Sequence, residues 1–165
     1  ETIVGVELNP IHIYVAKRFF KLKHHSIRLI QADAIEWIKD YKGEKFDLII
    51  DDLFAEQNGE PIPVTKPNTI WFNCLLKHVT KNGLIVKNFI DRKSAQSSAG
   101  LTNPRINQKF RSIFQFTTQY NENIAVAYLK QASTSQGLRK HLVSTPGLNP
   151  NLKTSRLRYR ARRLK

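Results

Sequence analysis

Short runs of aliphatic and β-branched residues alternate along this chain with longer amphipathic segments, and that alternation limits the fold more than any other feature. Residues 2–8 have the size and composition of a buried strand. Asn9-Pro10 follows as a helix start, since Asn caps and Pro suits the first turn. Ile11, Val15, Phe19 and Leu22 then recur at spacings of four, four and three, which predicts one helical face. Lys21, Lys23, His24 and His25 fall at its end, where cations oppose the helix dipole. The same reading predicts strands over 27–31 and 46–51, with a helix over 34–41 that aligns Ile35, Ile38 and Tyr41. A helix over 66–81 would turn Ile70, Trp71, Cys74, Leu75 and Val79 inward and stop at Asn82-Gly83. A strand over 83–90 and a helix over 104–113, with Ile106, Phe110 and Ile113 inward, complete the alternation. Residues 114–120 and 124–130, joined through Asn121-Glu122-Asn123, predict a closing antiparallel hairpin.

Four βα pairs followed by a hairpin imply an α/β domain, an open and mainly parallel sheet with helices on both faces. Ligands of such sheets bind outside the carboxyl ends of the strands. Three of the predicted strands finish there in acids: Glu7, Asp33, and the pair Asp51 and Asp52. A carboxylate at a strand tip accepts two hydrogen bonds side by side, as the hydroxyls of a ribose offer them. Any one such acid could equally cap the next helix. Three in successive βα loops favour a ligand.

The segments that carry these acids are Val4-Gly5-Val6-Glu7-Leu8-Asn9-Pro10, Gln31-Ala32-Asp33-Ala34-Ile35-Glu36-Trp37-Ile38 and Phe46-Asp47-Leu48-Ile49-Ile50-Asp51-Asp52-Leu53-Phe54. With Val79-Thr80-Lys81-Asn82-Gly83-Leu84-Ile85-Val86, their order and spacing resemble class I S-adenosylmethionine-dependent methyltransferases over about residues 2–130. Within that superfamily they look most like the spermidine synthase-like, polyamine-making branch. The resemblance implies a Rossmann-like methyltransferase domain over 1–130. It implies S-adenosylmethionine or its decarboxylated form as bound substrate, no metal, an amine-like acceptor, and methyl or aminopropyl transfer. Glu7, with Leu8 beside it, would hold the ribose, and Asp33 the adenine amino group, with Ala34 against the ring. Asp52 matches the first acid of the family's aspartate-rich loop, where it helps deprotonate the attacking amine. Asp51 is a candidate both for that chemistry and for the cofactor site, and its charge would lie next to that of Asp52.

Family members also carry a glycine-rich loop after a first, central strand. By the resemblance that unit would precede Glu1, so this chain would hold half of the ligand site and leave two unpaired sheet edges. The second family acid falls at Ala55, with Glu56 one position later, and the hairpin connection lacks the family's longer amine-lining segment. Both departures point to an acceptor other than putrescine, or to none. The 165 residues contain no Met and open at Glu1 on an apolar run, as part of a longer product would.

Composition narrows the rest. Apolar content of 41% excludes a fully disordered chain, and no apolar stretch approaches the ~20 residues of a membrane span. The single Cys74 excludes a disulfide framework or multi-thiolate metal site and fits a reducing, cytoplasmic compartment; its place on an apolar helix face makes it a buried spectator. His24-His25 has no third metal ligand spaced nearby and reads as a helix end. Trp71 and Phe72 are either core residues or walls of an acceptor pocket. The stretch Ser94-Ala95-Gln96-Ser97-Ser98-Ala99-Gly100 predicts a mobile internal loop.

Net charge is +14, and residues 131–165 hold nine Lys or Arg and no acid. They predict a flexible basic tail, in which Arg alternates with Leu157 and Tyr159 as though to follow a phosphate backbone and stack a base. Weak binding of RNA or another anion by 151–165 and a merely solvated tail both fit. A homodimer is also open to the chain. Two functions follow from the sequence: an adenosyl-ligand transferase, or a non-catalytic, basic nucleic-acid-binding adaptor.

Overall fold

A computed structural model describes residues 2–22, 25–118, 122–149, 151–153 and 159–165. Lys23, His24, Asn121, Arg156, Leu157 and Arg158 lie outside the described residues. The chain folds as two compact units, Glu1–Glu44 and Lys45–Lys165.

In the first unit, β1 (Ile3–Glu7) is followed by α1 (Pro10–Arg18), β2 (Ile27–Gln31) and α2 (Ala34–Asp40). β1 and β2 pair in parallel, with Ile3 opposite Ile27 and Glu7 opposite Gln31. α1 starts as expected: Asn9 Oδ1 accepts from the Ile11 N–H at 2.9 Å, and Pro10 opens the first turn. It stops sooner than the apolar spacing implies. Lys21 takes φ 54°, and the Leu22 N–H bonds back to the Ala16 carbonyl at 3.1 Å. Ile11, Phe19 and Leu22 are exposed, and α1 buries no side chain, so the expected apolar stripe makes no core.

The second unit runs β3 (Phe46–Asp51), β4 (Phe54–Gln57), β5 (Glu60–Pro63), α3 (Thr69–His78), β6 (Val79–Phe89), α4 (Arg92–Gln96), α5 (Ala99–Thr102), α6 (Pro104–Asn107), β7 (Ser112–Thr118), β8 (Ile124–Leu129), α7 (Ser135–Ser144) and β9 (Tyr159–Arg163). Its main sheet has the order β3-β6-β8-β7-β9. β3 and β6 are parallel, and the β6–β8, β7–β8 and β7–β9 pairs are antiparallel. Among the described residues β1 pairs only with β2, and β3 only with β6. These parallel pairs, with antiparallel strands at the C-terminal side, form the α/β, Rossmann-like arrangement read from the sequence.

Four expectations need correction. The helix over 66–81 is shorter, because Asn68 caps it by accepting from the Trp71 N–H at 3.0 Å and because Val79 already pairs with Phe46. Asn82-Gly83 lies inside β6, at a register shift; a Cβ on Gly83 would come within 2.7 Å of the Asp47 carbonyl, so only glycine lets the strands approach there. The helix over 104–113 ends at Asn107, since Ser112 and Ile113 pair with Leu129 and Tyr128 and tertiary pairing overrides the helical spacing. The Ser/Ala/Gly stretch is no loose loop. It forms α4 and α5, with Ala95, Ser98, Ala99 and Gly100 buried.

The fourth correction concerns residues 131–165. α7, capped by Thr134, and β9 are regular elements, and β9 extends the sheet beside β7 with Phe114 opposite Arg163 and Thr118 opposite Tyr159. Residues 159–163 of the expected tail are thus built into the sheet, with Tyr159 half-buried against its neighbours. The ring of Tyr159 meets Phe116 at 6.3 Å and its hydroxyl donates to the Leu148 carbonyl at 3.1 Å.

The core of this unit is aromatic. Phe72, Phe110 and Tyr128 are fully buried, with Tyr128 lying 5.0 Å from Phe72 and 5.3 Å from Phe110. Tyr128 and Ser98 share a hydroxyl hydrogen bond of 2.9 Å. Burial holds the Tyr128 phenol above its ordinary pKa, the Ser98 bond opposes this, and the Asp51 charge adds to it. Trp71 and Phe72 are both core residues here. No described helix is long and apolar enough to cross a membrane.

Candidate functional site

In the first unit, the two expected acids stand at the carboxyl ends of neighbouring parallel strands. Glu7 ends β1, and its Oε1 accepts from the Asn9 N–H at 2.8 Å and lies 3.3 Å from His12 Nδ1. The Glu7 side chain is 41% exposed, so a ligand can reach the carboxylate. Asp33 is the N-cap of α2: its Oδ1 accepts from the N–H groups of Ile35 at 2.7 Å and Glu36 at 3.2 Å. The Ala32 N–H donates to the Glu7 carbonyl at 3.1 Å and ties the two tips together. Leu8 is exposed and Ala34 half-buried. Both acids therefore also serve the local backbone, a role that leaves each carboxylate at the surface of the strand ends.

In the second unit, Asp51 and Asp52 separate. Successive side chains of a strand point to opposite faces, and the partners follow that rule. Asp51 lies opposite Lys87 in the parallel register, and its Oδ2 accepts from Lys87 Nζ at 2.8 Å and from Trp71 Nε1 at 2.7 Å. Lys87 Nζ also donates to Thr65 Oγ1 at 3.1 Å and stands 5.7 Å from the Phe89 ring centre. The Asp51 and Lys87 side chains are 1% and 3% exposed. Among the described residues, Asp51 Oδ1 has no hydrogen-bond partner. Asp52 is exposed, and its Oδ1 accepts from Asn88 Nδ2 at 2.9 Å.

The adjacent like charges expected from the sequence are thus kept on different faces, one neutralised inside and one presented to solvent. An exposed carboxylate with a single amide partner can accept a proton from an incoming group; a buried carboxylate held by an ammonium and an indole N–H serves to fix the strand end. Lys87, Thr65 and Asn88 were not among the expected site residues, and Trp71, offered as core or as a pocket wall, is a buried partner of Asp51. Lys87 had a signal: it follows the apolar run Leu84-Ile85-Val86 inside a predicted strand, where a charge is rarely buried without a partner. Glu7 and Asp33 belong to one unit and Asp51 and Asp52 to the other.

No family model matches the sequence, and no curated protein matches it. Solved structures do resemble it. A probable spermidine synthase from Corynebacterium glutamicum aligns with 85% of this chain and 53% of its own, at 17% identity and a TM-score of 0.65. Human Methyltransferase-like protein 13, solved in complex with SAH, aligns with 84% of this chain and 67% of its own, at 16% identity and a TM-score of 0.66. Spermidine synthase from Thermotoga maritima aligns with 93% of this chain and 52% of its own, at 16% identity and a TM-score of 0.60. The chain spans about half the length of these spermidine synthases. Its fold is that of the spermidine synthase-like class I methyltransferases.

Proposed function

We propose that the chain is part of an S-adenosylmethionine-dependent transferase that acts on an amine-like acceptor. The observation that carries this reading is the placement of two surface carboxylates, Glu7 and Asp33, at the tips of adjacent parallel strands. In the proposed site Glu7 binds the ribose hydroxyls, Asp33 accepts from the adenine amino group, and Ala34 lies against the ring. The donor is S-adenosylmethionine or its decarboxylated form. The acceptor nitrogen attacks the carbon next to the sulfonium, a C–N bond forms, and the C–S bond breaks with its electron pair passing to sulfur. Sulfur leaves as a neutral thioether, so the protein has mainly to position the partners and take up the N–H proton. Asp52 is the base in this proposal, oriented by Asn88, and Asp51 fixes the end of β3 behind it.

Calorimetric titration with S-adenosylmethionine, its decarboxylated form and methylthioadenosine tests the reading, on this chain and on the longest natural product containing it. At least one of the three is expected to bind. Glu7→Ala is expected to weaken that binding about tenfold or more, the loss of charge-assisted hydrogen bonds worth ~1.5–3 kcal/mol. Absence of binding by all three to the longest product would remove the transferase reading. Preference for the decarboxylated donor would assign aminopropyl transfer, and preference for S-adenosylmethionine methyl transfer.

A further inference from the structure

Between Arg92 and Lys165 the sequence holds fifteen Lys or Arg and a single acid, Glu122. The fold gathers several of these cations along one border of the five-stranded sheet. β9 is its edge strand, and Arg160, Arg162 and Arg163 are exposed on it. Arg160 and Arg162 share a face about 6.6 Å apart, two strand residues at ~3.3 Å each. Their partners across β7 are Thr117 and Gln115, neither acidic. Past Arg163 the border turns toward α6: Lys165 Nζ donates to Asn107 O at 2.8 Å and to Asn107 Oδ1 at 3.0 Å. Lys109 and Arg111 follow directly and are exposed.

Lys130 comes next, with its Nζ donating to the Val79 carbonyl at 3.4 Å. Burial, and then the charges of Lys45 and Lys109, hold its ammonium below the ordinary lysine pKa. Among the described residues, no side-chain carboxylate is ion-paired with any cation of this border. Like charges gathered with no ion-paired carboxylate cost energy that a bound polyanion removes. Charge on an edge strand also discourages pairing with other chains. That accounts for the arginines of β9 but not for Lys109 and Lys130, which are on neither edge strand.

We propose that this border, from Arg160 through Lys165 to Lys45 and Lys130, binds the phosphodiester backbone of a single-stranded nucleic acid. Arginine guanidiniums match phosphate oxygens in pairs. The described cations of the border lie on a strand and at loop ends, none of them on a helix that could enter a major groove, so the contacts are to the backbone. Base stacking is not supplied by Tyr159, whose ring and hydroxyl are already engaged with Phe116 and Leu148. Binding is therefore electrostatic and tolerant of sequence. A membrane surface fits less well, since adsorption of this kind is strengthened by an amphipathic apolar face beside the charges. The surface is separate from the transferase reading and stands whether or not that reading does.

Fluorescence anisotropy with a labelled 20-nucleotide oligouridine, from 50 to 300 mM KCl, tests the proposal. A log–log salt slope of about −2 or steeper is expected, three or more phosphates at ~0.7 each, with single-stranded DNA of equal length bound similarly. Arg160→Gln with Arg162→Gln should make the slope shallower by about 1.4 and weaken binding several-fold at 50 mM salt. Arg92→Gln with Lys93→Gln, an equal charge change on α4, should leave both unchanged. No binding at 50 mM KCl would overturn the proposal. So would equal loss in the α4 variant, or tight binding to phosphatidylserine vesicles that the oligonucleotide does not compete away.

Discussion

Lys87→Met is expected to lower the unfolding free energy by about 3–5 kcal/mol, read as a fall in the urea midpoint at unchanged slope. Methionine matches the lysine stem in length, so little packing is lost and the effect isolates the charge. Without the ammonium, the buried Asp51 carboxylate keeps, among the described residues, only the Trp71 N–H, and its Oδ1 has no partner among them. Thr65 loses its partner on Lys87 as well. Asp51→Asn in the Lys87→Met background is the decisive control. It keeps an oxygen for Trp71 Nε1 and removes the stranded charge, so about 2 kcal/mol or more should return. If Lys87→Met cost less than about 1 kcal/mol, the pair would not be the buried, mutually dependent unit described above.

Gly100→Ala should cost about 2 kcal/mol, although alanine is the better helix former by ~1 kcal/mol. A Cβ at this position collides with Tyr128 Cε1 and comes within 2.9 Å of Phe72 Cζ. Neither ring can retreat. Tyr128 is held by Ser98 and packs edge-on against Phe72, and Phe110 closes the other side. Overpacking of a core this dense forces side chains off their rotamers. Thermal unfolding of Gly100→Ala against wild type reads the loss directly, and an unchanged or raised Tm would contradict the close approach.

These two positions also mark where the sequence was legible and where it was not. Strand runs such as Ile3 to Glu7 and Ile27 to Gln31 were plain, because aliphatic residues cluster there and the next helix begins with a cap at Asn9 or Asp33. Gly100 was misread: a run of small polar residues looks like a linker, yet smallness is what lets α5 lie against two aromatic rings. The β4–β5 hairpin announced itself in Asn58-Gly59, whose φ values of 54° and 82° are those of the tight turn this pair favours. At the site, the acids at strand ends could be found from their positions alone. Which of Asp51 and Asp52 faces solvent depended on Lys87, thirty-six residues away in the chain, and on a register that composition does not encode.

The place of β9 at the end of the sheet order has a kinetic meaning. β7 is finished at Thr118, but its outer edge is covered only when residue 163 has been made. At ~5–20 residues per second, synthesis leaves that edge uncovered for about 2–9 s. During this interval the growing chain presents Phe114 and Phe116 on an open strand, and the arrival of residues 159–163 ends its exposure to mispairing.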